Sequence, residues 1–375
     1  MDKLRSFQLQ TLIIGFAIVA LASGGSAGQK VTTSTENGIT VVHNPKEPVP
    51  QRGGPSRLIL KEELALGEEA GAEGPLFADL RSIGVDDQEN IWTLDWTDIK
   101  VRVFDKTGKL ISTFGQKGQG PKELQNPHRM VVSGDGKAYV LDANKLAVYN
   151  LKGECLRELS TAKTQPVRIK LNPAADIFLD NWIGAPGGFQ FNLIKYDANL
   201  NPLFKVQTWF EPIAPGERKL FIPIAFFVPT RDGRVIYGVG QEYRLHILDK
   251  NGKPSGMIIK DYAPKKISAA EREALIKDRL GTQAGQVKVD SPDTFPPFQS
   301  FIGDDQDRLF VKTYEKDGQG NYWHDVFDAQ GRCFTRFALP EDEMLFVVKK
   351  NRMYVIISEN EEGIPLVKRY GMEWR

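Results

Sequence analysis

The chain has 375 residues, 41% of them hydrophobic and 26% charged, an ordinary globular composition long enough to bury a large core or several small ones. Its 49 basic and 48 acidic residues leave a net charge of +1, and neither half carries a basic excess suited to a phosphate backbone, which sets nucleic acid aside as a partner. The 35 Gly and 22 Pro fit a chain of many turns, and six Trp, 21 Phe and ten Tyr favour strands over helices.

At the N-terminus, Lys3 and Arg5 precede an apolar run, Thr11–Ala22, that is short of the ~20 residues a comfortable membrane span needs. Small residues follow it. Residues 1–27 therefore read as a secretory signal peptide cleaved after Ala27 or Ala22, the alternative being an uncleaved anchor. No Cys follows the run, so a lipid-modified terminus is not supported. No later segment is apolar for long enough to span a bilayer, and the mature chain is expected to be exported, periplasmic or extracellular, without a membrane span. Residues 28–56, broken by Pro45, Pro48, Pro50, Gly53, Gly54 and Pro55, read as an extended linker in which Gly38–Val42 could add an edge strand.

From about residue 58 onward the chain repeats. Each unit runs apolar strand, tight turn, strand with a bulky residue, loop, alternating strand, Asp-x-x-Gly turn, strand. A nine-residue step from an apolar to a bulky residue recurs as Ile83/Trp92, Met130/Tyr139, Ile169/Phe178, Phe227/Ile236, Phe301/Phe310 and Leu345/Tyr354. The Asp-x-x-Gly turn recurs as Asp105–Gly108, Asp249–Gly252 and Asp328–Gly331, with Asn150–Gly153 a variant. In the third unit (Asp197–Leu200) the Gly is missing, and Asn199 is the residue expected to go left-handed. Four strands per unit at a spacing of roughly 40–50 residues is the signature of a β-propeller, so the expected fold is all-β, a six-bladed propeller over residues 57–375.

The spacing stretches only between units four and five. The insertion there, residues 262–296, holds one expected helix, opened by the capping box Ser268–Glu271 and stopped at Gly281. The sixth unit lacks a strand, and the unassigned strand Arg57–Glu63 is expected to supply it and close the ring. Cys155 and Cys333 then fall on the outer strands of blades two and five, on opposite sides of the ring. A disulfide needs Cα atoms within ~7 Å, so two free thiols are expected.

The segment Asn126–Gly153 (NPHRMVVSGDGKAYVLDANKLAVYNLKG) resembles an NHL repeat: it has the Pro, the apolar pair before an Asp-Gly turn, the aromatic-Val-x-Asp strand and the apolar alternation that follows. The Gly-rich connector Gly115–Leu124 and the first unit (VDDQENIWTLDWTDIKVRVFDKTG) are similar to that family as well. The resemblance covers about residues 58–375 and weakens in units three to six, which drop the signature Asp or Gly. It implies a scaffold that binds a protein or a ligand, a minority of such propellers being enzymes.

In this arrangement the outer-to-inner connections and the loops between second and third strands share one face. That face carries the elaborations: residues 183–190, 262–296 and 313–323. At the start of the innermost strands, two residues before the apolar landmark, the blades offer Arg81, His128, Val167, Ala225, Gln299 and Glu343; one residue before it they offer Ser82, Arg129, Arg168, Phe226, Ser300 and Met344. Arg81, His128, Arg129, Arg168, Gln299 and Glu343 are therefore candidates to line a channel mouth and bind a ligand. Converging Arg side chains bind carboxylates and other anions bidentately. The alternative is that these groups pair among themselves or are solvated.

One carboxylate and one imidazole are too few for a metal site, and no cofactor motif is present. Asp95 and Asp142, at the ends of second strands, are expected to brace turns. Trp96, Tyr322 and Trp323 are expected either as exposed aromatics or as core. The preferred function is a binding scaffold acting through the elaborated face on a protein, a peptide, or an anionic small molecule or glycan. The alternative is a hydrolase or lyase of an anionic substrate, with His128 and Glu343 as acid/base candidates and the three Arg as clamps. A perturbed carboxylate beside His128 would favour the enzyme; a self-paired mouth would favour the scaffold.

Overall fold

The computed structural model describes residues 30–67, 76–283, 285, 287–360 and 362–375. The leader reading of residues 1–27 lies outside them. Six antiparallel blades of four strands follow one another around a ring; each runs in chain order from an innermost to an outermost strand, except that the outermost strand of blade 6 comes from the N-terminal side, and the blade 4 sheet is extended to six strands. The innermost strands are Leu80–Val85, Arg129–Val132, Arg168–Leu171, Phe226–Pro229, Ser300–Gly303 and Glu343–Lys349 of blades 1 to 6. They neighbour one another in that order, and the sixth returns to the first. The chain is a six-bladed β-propeller.

The nine-residue step has a direct structural meaning. In each sheet the bulky residue stands opposite the residue just after the apolar landmark, or, in blade 6, one residue beyond it: Gly84 faces Trp92, Val131 faces Tyr139, Lys170 faces Phe178, Val228 faces Ile236, and Ile302 faces Phe310. A bulge shifts the register in blade 6, where Val347 faces Tyr354. Side chains alternate across each sheet and fill both gaps beside it. The result is six apolar layers, one between each pair of neighbouring blades.

Ring closure follows the sequence reading. Strand β3 (Leu58–Leu66) pairs antiparallel with Leu366–Trp374 as the outermost strand of blade 6, burying Leu58 and Leu66. The two cysteines are free thiols, Cys333 buried and Cys155 partly so. The insertion helix α1 (Ala269–Leu280) carries the Ser268–Glu271 capping box and ends at Gly281.

One expectation needs correction. In the turn Asp197–Leu200 the left-handed residue is Leu200 (φ 62°), not Asn199. The turn geometry fixes which position goes left-handed: the fourth, which is Gly108, Gly153, Gly252 and Gly331 elsewhere. Leu200 accepts that strain because Asp197 Oδ1 takes the N–H groups of Asn199 and Asn201 and holds the turn closed. Residues 30–56 contain the edge strand expected within Gly38–Val42 and, beyond that expectation, a hairpin partner for it. Strands β1 (Thr32–Glu36) and β2 (Ile39–Asn44) form a hairpin, and β2 pairs parallel with Pro254–Lys260, the outer strand of blade 4. The buried Asn44 side chain explains the docking: it donates to the carbonyls of Gly331 (2.9 Å) and Ile259 (3.2 Å) and accepts from the N–H of Cys333 (2.7 Å). The hairpin thus straps blade 4 to blade 5. No helix of the described residues is long and apolar enough to cross a membrane.

Candidate functional site: the channel mouth

Innermost strands start on the face where second strands end, so the mouth is built from the first residues of the former and the last of the latter. The aspartates at the second-strand ends are braces. Asp95 accepts the N–H groups of Ala78 (2.6 Å), Asp79 (3.2 Å) and Thr97 (3.0 Å), and Asp142 accepts those of Gln125 (3.0 Å) and Asn126 (2.5 Å). Each carboxylate thereby fixes the connection that leads into its innermost strand, the role a buried acceptor must fill if those N–H groups are to be satisfied. In blade 3 the same position is Asn181, whose amide donates to the carbonyl of Thr164 (2.6 Å).

Among the residues expected at the mouth, Arg81 pairs with Asp79 (2.7 Å), and its guanidinium lies over Trp96, 4.9 Å from the ring centre. Trp96 is 41% exposed and donates to Asn126 Oδ1 (2.6 Å). Arg168 is held by the buried Asp180 through Nε (2.7 Å) and Nη2, and it donates to the Ala225 carbonyl of blade 4 (2.6 Å). Arg129 differs from both. Its Nη1 meets only main-chain carbonyls, His128 at 3.2 Å and Arg81 at 3.5 Å, and among the described residues no carboxylate reaches it. Burial, and then the nearby Arg168 and Arg81, lowers its pKa from the ordinary arginine value. A desolvated guanidinium flanked by two others is short of negative charge.

The remaining candidates do not join this group. Both ring nitrogens of His128 lie 3.3 Å from main-chain carbonyls, those of Asn126 and Pro166. Gln299 donates to the Thr313 carbonyl at 2.7 Å. Glu343 is buried: Oε1 accepts from the Tyr370 hydroxyl on the third strand of its own blade (2.6 Å), and burial raises its pKa. The exposed residue at that point of blade 6 is Met344, 50% exposed. The structure gathers Arg81, His128, Arg129 and Arg168 on blades 1 to 3 and turns Glu343 away.

Sequence reasoning passed over Lys170. It lies two residues inside Arg168 on the innermost strand of blade 3, so both side chains leave the strand on the same side, opposite to Ile169 and Leu171, which pack in the layer shared with blade 2. Burial and the neighbouring Arg168 lower its pKa to about 8. The signal was available in the period-two alternation, since the equivalent residues of the other blades are Gly84, Val131, Val228, Ile302 and Phe346.

The elaborated face rises on the side of blades 3 to 5. Blade 3 extends into a long hairpin, Ile177–Ala185 and Gly188–Tyr196, that exposes Ile183 and Phe189 near its tip. The insertion joins the blade 3-to-4 connection through a short parallel pair, Glu217–Lys219 with Lys288–Asp290, and through Arg279, which donates to the Leu220 carbonyl. Tyr322 and Trp323 are half-buried under cations, Lys312 and Lys316 over the first and Arg336 over the second. A cavity of about 20 Å³, room for one water, is lined by Tyr243, Lys260, Thr313 and Asp325, and none of the mouth residues reaches it.

Comparison with known proteins agrees with this architecture. Residues 73–202 match a family described as 6-bladed beta-propeller. No curated protein matches the chain. Among solved structures, it is similar to a protein of Bacteroides fragilis described as exported (11% identity, 89% of this chain and 99% of that one, TM-score 0.52). It is also similar to a Bacteroides vulgatus member of the duf4221 family (10% identity, 86% and 100%, TM-score 0.52). At such identities the likeness is one of fold.

Proposed function

We propose that this chain is an exported binding propeller that takes an anionic group at the mouth of its channel, on the elaborated face. The observation that carries this reading is Arg129: a half-buried guanidinium between two others, each of which has its own carboxylate while Arg129 has none. A ligand carboxylate there would gain charge-assisted bonds without displacing an existing ion pair. Trp96 and the exposed hairpin tip of blade 3 offer apolar surface for the rest of the ligand, be it a small molecule, a glycan or an acidic peptide end. The hydrolase or lyase reading lacks its acid/base pair, because Glu343 faces Tyr370 and His128 is occupied by main-chain carbonyls.

The test is a thermal-shift screen of the chain from Gly28 against acidic sugars, mono- and dicarboxylates, peptides and divalent metals, repeated with Arg129→Ala. An upward shift with carboxylates that Arg129→Ala abolishes supports the reading. The same shift in the variant, or shifts confined to metals or neutral peptides, would move the site elsewhere.

A further inference from the structure

At the position of Lys170, one residue after the landmark, the other five blades carry glycine or an apolar residue, Gly84, Val131, Val228, Ile302 and Phe346, and the four apolar ones pack in the layers between blades. Among the described residues the Lys170 side chain makes no ion pair and no hydrogen bond, in contrast to the two fully buried lysines, Lys195 (on Asp176, 2.7 Å) and Lys260 (on Asp325, 3.3 Å, and the Lys46 carbonyl, 2.6 Å). It nonetheless keeps part of its surface accessible. An innermost strand has open space only on its channel side, so that surface belongs to the channel. An ammonium surrounded by apolar groups is expensive to hold without a partner, and any apolar residue of similar length would pack there at lower cost.

The position of this lysine relative to the mouth is fixed by the strand. Two residues along a strand is about 6–7 Å, so Lys170 sits that far inside the ring of Arg129 and Arg168. Arg129 is at the first residue of its innermost strand, as Arg168 is of its own, and the two strands are neighbours. The two cations without carboxylate partners are thus stacked along the channel, one at its entrance and one below. Arg168 stands between them in sequence, already neutralised by Asp180.

We infer that the channel binds one ligand at two points, a chain with an acidic group at each end, the outer group on Arg129 and the inner one on Lys170. The inference rests on the proposed anion site at the mouth and adds the ligand class: a linear dicarboxylate, or an equivalent diacid, rather than a single anion.

The experiment is calorimetric titration of the chain from Gly28 with succinate, glutarate, adipate and pimelate, each against its monocarboxylate (butyrate, valerate, hexanoate and heptanoate), in wild type, Arg129→Ala, Lys170→Met and Lys170→Gln. The expected result is that one dicarboxylate binds about tenfold or more tightly than its monocarboxylate. Both Lys170 variants then erase that preference and leave the monocarboxylate affinity unchanged, while Arg129→Ala weakens both ligands. The two lysine variants guard against a packing artefact, since one is apolar and the other polar. Equal binding of mono- and dicarboxylates by wild type, or a preference that survives in both lysine variants, overturns the two-point site and leaves the mouth site standing. Failure of every carboxylate to bind wild type overturns both.

Discussion

Asp180 grips Arg168 at three points: one oxygen accepts the backbone N–H (2.9 Å), and the other accepts Nε (2.7 Å) and Nη2. The same guanidinium reaches Ala225 of the next blade and lies over Phe226 and Phe227. Arg168 is therefore a latch between blades 3 and 4, and its charge is spent inside the protein. That separates it from Arg129, which the sequence places in the same ring.

The separation predicts unequal consequences. Asp180→Asn keeps the shape of the side chain but leaves a largely buried guanidinium unbalanced, a change expected to cost about 2–3 kcal/mol. Arg129→Ala removes a cation that has only main-chain partners and is expected to cost less than about 1 kcal/mol. Urea unfolding of the two variants checks this through their midpoints at constant slope. A variant order opposite to this one would make Arg129 the structural residue and remove it as a ligand group.

Lys170 gives the fold a pH signature. Its pKa in the folded protein, about 8, lies below the ordinary lysine value of 10.5, so between those limits the unfolded chain binds more protons and stability rises with pH. Below pH 8 the penalty is present in full; as pH rises towards 10.5 it vanishes. Lys170→Met should therefore stabilise the unliganded protein by about 2 kcal/mol at pH 7 and by almost nothing at pH 10.5, where neither state carries the full charge. Paired urea midpoints at the two pH values test it. A gain independent of pH would be hydrophobic packing, not relief of a desolvated charge.

The repeat was legible because each blade repeats the same physical problem. An apolar residue fills the gap on one side of the innermost strand, a bulky one nine residues later fills the gap on the other, and Ile83/Trp92 and Phe301/Phe310 answer it with different side chains in the same register. The ring closure by Leu58–Leu66 was legible for a related reason, since an unpaired edge on Leu366–Trp374 demanded a strand. The docking of Asn44 was not, because its three partners lie more than 200 residues away and no local pattern marks them. At the mouth, the sequence sets Arg81, Arg129 and Arg168 at equivalent strand starts but does not show how each is paired or which way it points. Glu343 and Met344 are adjacent, and a strand sends neighbours to opposite sides; the hydroxyl of Tyr370 decides which one is buried. Lys170 stands one residue after the landmark, where the other blades carry glycine or apolar residues, so the strand starts give no sign of it.

The cysteines offer a check on the blade assignment. Burial raises both thiol pKa values, that of Cys333 well above the ordinary range. The reagent DTNB, which reacts with thiolate, should therefore label native protein slowly at Cys155 and not at Cys333, and should count two thiols once the chain is unfolded. Protein purified under oxidising conditions that yields no titratable thiol in denaturant would require a bridge between blades 2 and 5, which this ring does not permit.

The two N-terminal attachments should fail in different ways. The hairpin of β1 and β2 adds to a ring that is already closed. Asn44→Ala leaves the Cys333 N–H and the Gly331 carbonyl without their buried partner, at a cost of about 2 kcal/mol. Unfolding should remain a single transition at lower temperature. Strand β3 is part of the closure itself, and its loss opens the blade 6 sheet along Leu366–Trp374 and uncovers the layers that hold Leu58 and Leu66. A chain starting at Leu58 is therefore expected to fold, less stably than the full one, whereas a chain starting at Gly67 should aggregate or pair through the open edge. Thermal unfolding with light scattering separates the cases. If the chain from Gly67 were monomeric and cooperative, the closure would have to be made by another segment.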